Sequence, residues 1–162
     1  MKRVLTVAAF IAVALLASGS LPAQSNDPFI GTWKLNTQKS KYVNTPSPAT
    51  DETRIVEAQG NGAKISLEGT NGDGSRIAYS YVTNYDGKDS PVTGTGAANR
   101  EDSVAIKRVD AYTFTATTKR AGKVLRTVHG EVSKDGKVTT LVAKGPNSKG
   151  EPAVATTVWE KQ

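Results

Sequence analysis

Glycine turns recur along this chain at near-even spacing, and that rhythm restricts its fold more than any other feature. They fall at Gly60-Asn61-Gly62, Asn71-Gly72-Asp73-Gly74, Asp86-Gly87, Ala121-Gly122, Asp135-Gly136 and Ser148-Lys149-Gly150. Asn-Gly and Asp-Gly supply the positive φ angles that tight hairpins demand. Between the turns lie short segments rich in Val, Ile, Thr and Tyr, the residues that fit a pleated, half-buried surface. Strands are predicted near 29–36, 52–59, 63–69, 75–85, 102–109, 111–119, 123–133, 137–144 and 152–160. A further short strand follows Asp86-Gly87, weakened by Pro91, which cannot donate to a ladder. No segment after residue 25 sustains a 3.6-residue period. Such a meander folds as a sandwich or a barrel. Consecutive hairpins favour an up-and-down antiparallel β-barrel of about 8–10 strands, which also leaves no exposed edge.

Two stretches break the rhythm. Residues 37–51, TQKSKYVNTPSPATD, carry two prolines and many small polar residues, and 93–101, TGTGAANRE, is glycine-rich. Both are expected to be loops near an open end of the barrel, where long loops are often functional.

Residues 1–25 read as a secretory signal. Lys2 and Arg3 precede an apolar run from Val4 to Ala17, and Ala23-Gln24-Ser25 offers a cleavage site. The run is about 14 residues, short of the ~20 that a spanning helix needs. Ser20 stands where a lipidated cysteine would be required. The expectation is a soluble chain, periplasmic or secreted, without stable membrane insertion, whose single domain covers 26–162.

The full chain has 162 residues, with 21 Lys and Arg against 15 Asp and Glu; two of the basic residues lie in the leader, leaving a net +4 beyond it. The lysines are scattered beside turns, as at Lys88, Lys123, Lys134, Lys137 and Lys149. A nucleic-acid surface needs clustered charge, so no nucleic-acid partner is expected. There is no cysteine, hence no disulfide, thiol nucleophile or thiolate ligand.

Strand parity sorts side chains into faces. Ile77, Tyr79, Tyr81, Thr83 and Tyr85 share one face of their strand, and Tyr112, Phe114 and Ala116 share one of theirs. In the last strand Ala155, Thr157 and Trp159 alternate with Val154, Thr156 and Val158. These aromatics serve either as plain core or as cavity lining. Buried tyrosine hydroxyls need partners, so three on one face suggest a cavity holding water or a polar ligand group. Arg126 shares a face with Val124 and Val128; it is an anion anchor if that face is internal and a solvated charge if it is not.

The sequence carries no recognisable catalytic constellation. His129 is the only histidine and makes no usual zinc site without cysteine. Asn71-Gly72-Asp73-Gly74-Ser75 begins like a calcium loop, but Arg76 stands where glycine is needed and Val82 where the bidentate glutamate belongs. Asp51-Glu52 and Glu101-Asp102 are adjacent pairs, which point to opposite faces of a strand. No catalytic residue, metal or cofactor is assigned.

The two ends of the domain resemble a known superfamily. Phe29-Ile30-Gly31-Thr32-Trp33-Lys34-Leu35 resembles the first strand of the calycins: the Gly-x-Trp signature of lipocalins and the F-x-G-T-W-K-L opening of fatty-acid-binding proteins. Thr156-Thr157-Val158-Trp159-Glu160-Lys161 is similar to the closing T-R-V-Y-E-R strand of the latter, and the hairpin from Asp135-Gly136-Lys137 to Ala143-Lys144-Gly145 to their penultimate strand. The resemblance implies a small bacterial exported lipocalin-like protein. It implies that Trp33 lies across the closed end under a cation from a terminal strand, with Gly31 permitting close approach, both residues being structural. Two departures stand out. The proline-rich stretch replaces a pair of short helices, and Thr157 replaces the arginine that clamps a carboxylate, with Trp159 in place of tyrosine. A fatty-acid carboxylate would lack its bidentate partner.

The function expected is non-enzymatic binding of a small hydrophobic or amphipathic ligand inside the barrel, by Tyr79, Tyr81, Tyr85, Phe114, Arg126, Thr157 and Trp159. The alternative is a filled barrel serving as a structural or protein-interaction module of the cell envelope. A lipid isomerase or cyclase of calycin type is a third reading. Cavity volume separates the first two, since a ligand pocket reaches roughly 300 Å³ or more.

Overall fold

The computed structural model describes residues 27–95 and 101–162, so the expected leader lies outside the described residues. Those residues form no helix and eleven strands: β1 Gly31–Val43, β2 Ala49–Gln59, β3 Gly62–Asn71, β4 Arg76–Thr83, β5 Asp86–Pro91, β6 Thr93–Thr95, β7 Ser103–Arg108, β8 Thr113–Arg120, β9 Lys123–Val132, β10 Val138–Pro146 and β11 Pro152–Lys161. All pairs are antiparallel, and the order is β5-β7-β8-β9-β10-β11-β1-β2-β3-β4-β6. The two outermost strands are consecutive pieces of one stretch of chain. Its first half pairs with β7 and its second with β4, and Val92 between them donates its N–H to Asp102 O at 3.0 Å. The sheet is therefore a nearly closed up-and-down barrel, with the first strand hydrogen-bonded to the last.

The two predicted loops are shorter than their composition suggests. Residues 37–43 continue β1 across a register shift between Asn36 and Lys41. Ser40 stabilises the irregularity: its hydroxyl donates to Asn36 O (2.7 Å) and accepts from Val158 N–H (3.0 Å). Bulges tolerate the small polar residues that otherwise argue for loop. Only residues 44–48 leave the sheet, with Asn44 and Ser47 at φ 51° and 48°. Of the second expected loop, residues 93–95 are strand β6; residues 96–100 lie outside the described residues.

Interior and exterior follow the alternation. Inward positions build one cluster around Trp33, Leu35, Val56, Ile65, Leu67, Leu141 and Trp159, and a second of Val104, Ile106 and Ala116. Outward positions include the exposed Glu57, Lys64, Glu68, Lys107, His129 and Glu131. Charges at mid-strand are the reverse of a lipid-facing barrel surface.

One end of the barrel is sealed by its N-terminal segment. Trp33 is buried, and its indole N–H donates to Phe29 O at 2.9 Å. Lys161 Nζ sits 5.0 Å from the Trp33 ring centre and donates to Pro28 O at 3.1 Å. A Cβ added at Gly31, where φ is 137°, would fall 2.7 Å from Lys161 Cε, so the lysine can lie there only over a glycine. Arg108 pairs with Asp27 and lies over the rings of Phe29 and Tyr85, at 4.6 and 4.2 Å. The opposite end is open, rimmed by residues 44–48 and the β10–β11 turn. There Asn147 Nδ2 donates to Asn44 O (3.2 Å) and Asn44 Nδ2 to Pro152 O (3.1 Å).

Candidate functional site

Above the sealed end the barrel encloses a cavity of about 540 Å³. Below it is a void of about 40 Å³, against Trp33, Val56, Ile65 and Tyr85. Arg54, Tyr81, Ile106, Phe114 and Trp159 line both, and so form the floor of the larger space.

Each aromatic residue of the floor is held by an identifiable contact. The Phe114 ring lies edge-on to Phe29, with centroids 5.3 Å apart and planes at 69°. It occupies the place of a missing side chain: a Cβ at Gly130, directly across the ladder, would fall 2.3 Å from Phe114 Cε1. Trp159 is buried, and its indole N–H donates to Thr157 Oγ1 at 2.9 Å. Thr157 thus positions the tryptophan while also facing the cavity. Tyr79 and Tyr81, two residues apart on β4, stack with centroids 6.5 Å apart at 20°.

The charged groups of the cavity enter from several strands. Arg54 on β2 places its guanidinium 4.3 Å over the Trp159 ring, and its buried Nε has no hydrogen-bond partner. Arg126 on β9 lies nearer the mouth, where a Cβ at Gly145 would come within 3.0 Å of its Cγ. Glu52 and Glu101 also line the cavity, and each has interaction partners of its own. Their neighbours in sequence turn outward: Asp51 pairs with Lys34, and Asp102 Oδ2 accepts the Ala121 N–H at 2.6 Å. For Asp51 and Glu52, adjacent on β2, opposite directions are what strand geometry requires; Glu101 and Asp102 lie just before β7.

These surroundings set the protonation of the tyrosines. Burial pushes the Tyr79 hydroxyl well above its ordinary value of 10.0; the charges of Glu101 and Glu52 add to this and Arg54 opposes it. Tyr81 is raised by burial, opposed by Arg54, and raised further by Glu101 and Glu52. At neutral pH both phenols are neutral donors. The cavity therefore offers aromatic faces, the phenolic O–H groups of Tyr42, Tyr79 and Tyr81, and the guanidinium groups of Arg54 and Arg126, with Glu52, Asp73 and Glu101 as its carboxylates. Among the described residues no three His, Asp or Glu side chains gather as a metal-binding group.

Of the residues singled out from the sequence, Tyr79, Tyr81, Phe114, Arg126, Thr157 and Trp159 line the main cavity. Arg126 is thus on an internal face. Val124, on the same face by parity, is 55% exposed because it lies beyond a register shift between Thr118 and Lys119. Tyr85 does not join the others. The strand predicted to run through it ends at Thr83, and Tyr85 takes a left-handed φ of 57° that turns its ring into the lower void. Tyr112 lies in the β7–β8 turn and is 39% exposed.

Sequence reasoning missed Arg54. Parity alone placed it with Val56 against Thr53 and Ile55, and Ile55, which points outward, is as apolar as Val56. Sequence reasoning read Asp51-Glu52 and Glu101-Asp102 as facing opposite ways but did not say that Glu52 and Glu101 are the members that line the cavity.

Neither a protein-family model nor a curated protein sequence matches this chain. Among solved structures, that of EF1p2_mFAP2b bound to DFHBI is similar, at 12% identity and a TM-score of 0.44, over 83% of this chain and 94% of that one.

Proposed function

We propose that the chain is an exported, non-enzymatic binding protein of calycin type that carries a small amphipathic molecule inside its barrel. The observation that carries this reading is the cavity of about 540 Å³, above the roughly 300 Å³ at which ligand pockets begin. A barrel filled by its own side chains leaves no such space, so the volume weighs against the structural-module alternative. The lining is of the kind small-molecule sites use: aromatic walls with a few polar groups that set orientation. Export rests on the sequence of residues 1–25.

Titration of a neutral hydrophobic probe into the purified domain tests the reading. Saturable binding in the wild type, weakened at least tenfold by Tyr81→Ala, is the expected result. Wild-type protein that binds no probe, and from which solvent extracts no small molecule detectable by mass spectrometry, would make the filled module the better description. Intact mass of exported protein should place the mature N-terminus within a few residues of Asn26; a species retaining Met1 in the membrane fraction would overturn the export reading.

A further inference from the structure

The polar groups of the cavity are not evenly placed. Arg54, Tyr79 and Tyr81 stand together on one wall. In the ladder Arg54 pairs with Leu67, and Leu67 with Tyr79; Tyr81 is one inward position further toward the sealed end. Arg54 and Tyr79 are thus two strands apart at the same height, about 10 Å between their backbones, with only Leu67 between them. Long side chains span that gap when they converge on one object. The guanidinium carbon sits 4.3 Å over the Trp159 ring centre, held there by the ring quadrupole, and its Nε has no hydrogen-bond partner. Among the described residues Arg54 pairs with no carboxylate, although Glu52 lies on the same face of the same strand. A buried guanidinium N–H such as that of Arg54 Nε is costly without an acceptor unless something supplies one.

We propose that Arg54, with the Tyr79 and Tyr81 hydroxyls, is the anion subsite of the cavity, and that its ligand is a small aromatic carboxylic acid. The carboxylate takes the N–H edge of Arg54 and the two phenolic O–H groups; the ring of the ligand lies among Tyr79, Tyr81, Phe114 and Trp159. Glu52 and Glu101 line the same cavity and oppose negative charge at the Tyr79 and Tyr81 hydroxyls, so Arg54 is the group that draws the carboxylate in. The ligand is aromatic rather than a long alkyl chain because the walls around Arg54 are rings, whose faces and edges pair best with another ring. This subsite is built on β2 and β4, whereas the resemblance to fatty-acid-binding proteins would have put an arginine at Thr157 on β11.

The inference deepens the binding reading and rests on it. The test uses isothermal titration of the purified domain with naphthoate and with naphthalenemethanol, its neutral counterpart of similar size. The wild type is expected to bind naphthoate at least tenfold more tightly. That advantage should vanish in Arg54→Met, shrink in Arg54→Lys and in the Tyr79→Phe, Tyr81→Phe double variant, and fall less in Arg126→Met than in Arg54→Met. Thermal melting identifies any variant that fails to fold, and the tyrosine double variant then stands in for Arg54→Met. Equal binding of the two probes by the wild type would overturn the anion subsite and leave the binding protein standing. An acid advantage that survives Arg54→Met and is lost in Arg126→Met would overturn the placement. Binding of neither probe by the wild type would overturn both readings, and tighter binding of a fatty acid than of naphthoate would overturn the aromatic preference.

Discussion

The Arg54 guanidinium lies 4.3 Å over the Trp159 ring, across the strand that separates theirs in the sheet. Both belong to the floor of the cavity. Trp33, the other indole of the chain, touches only the void beneath. The two tryptophans should therefore respond differently to occupancy. Fluorescence of the Trp33→Phe variant is expected to change on ligand addition about as much as wild type, while that of Trp159→Phe should be nearly silent. A full response from Trp159→Phe would mean that the ligand lies elsewhere.

Trp33 carries stability. Its burial, its hydrogen bond to Phe29 O and the overlying Lys161 all seal the closed end. Trp33→Ala is expected to cost ~3–5 kcal/mol, measured by denaturant unfolding. Lys161→Met retains the stem over the indole and removes the charge, and should cost at most about 1–2 kcal/mol. Wild-type stability in Trp33→Ala would contradict the sealing role.

Gly130 holds a place for Phe114. A methyl group there collides with the ring at 2.3 Å, so Gly130→Ala must swing Phe114 into the cavity or strain the wall. Overpacking of this kind costs about 1–3 kcal/mol. Combining Gly130→Ala with Phe114→Leu should recover part of that loss, and a double-mutant cycle measures the coupling. Strictly additive losses would show that the two positions do not share the space.

Alkaline pH should unfold the barrel earlier than its salt bridges alone would suggest. Burial raises Tyr85 to about 12 against an ordinary 10.0, with Arg108 opposing the rise. An unfolded chain loses that proton from about pH 10, whereas the folded one keeps it until about pH 12. The folded state binds more protons in that window, so stability falls as pH rises through it. Tyr79 and Tyr81 act in the same direction. Tyrosinate absorbance followed with circular dichroism should show the buried hydroxyls titrating together with loss of structure. Their titration near pH 10 in a folded protein would refute the burial argument.

Hairpin rhythm in the sequence was enough to place nearly every strand, because Asn-Gly and Asp-Gly turns are local chemistry. Inward faces were legible wherever a strand alternates cleanly, as in Tyr79 and Tyr81 or Thr157 and Trp159. Legibility failed at irregularities that depend on a partner strand. The continuation of β1 to Val43 hangs on Ser40 bridging Asn36 and Val158, residues that meet only after folding. Tyr85 left its predicted face because the chain turns one residue after Thr83, a bend that alternation cannot register. Arg54 was hidden by equal apolarity on both sides of β2, and only the burial of Val56 against the exposure of Ile55 decides its direction.

The sealing of one end by Pro28, Thr32, Lys161 and Gln162 has a topological consequence. Gln162 donates its backbone N–H to Thr32 O at 2.9 Å, so the first and last described residues leave the barrel side by side at the pole opposite the entrance. Whatever is joined to either end of this domain hangs from its base. A tether, a fused neighbour or an immobilising support attached there leaves the open end facing outward and unobstructed.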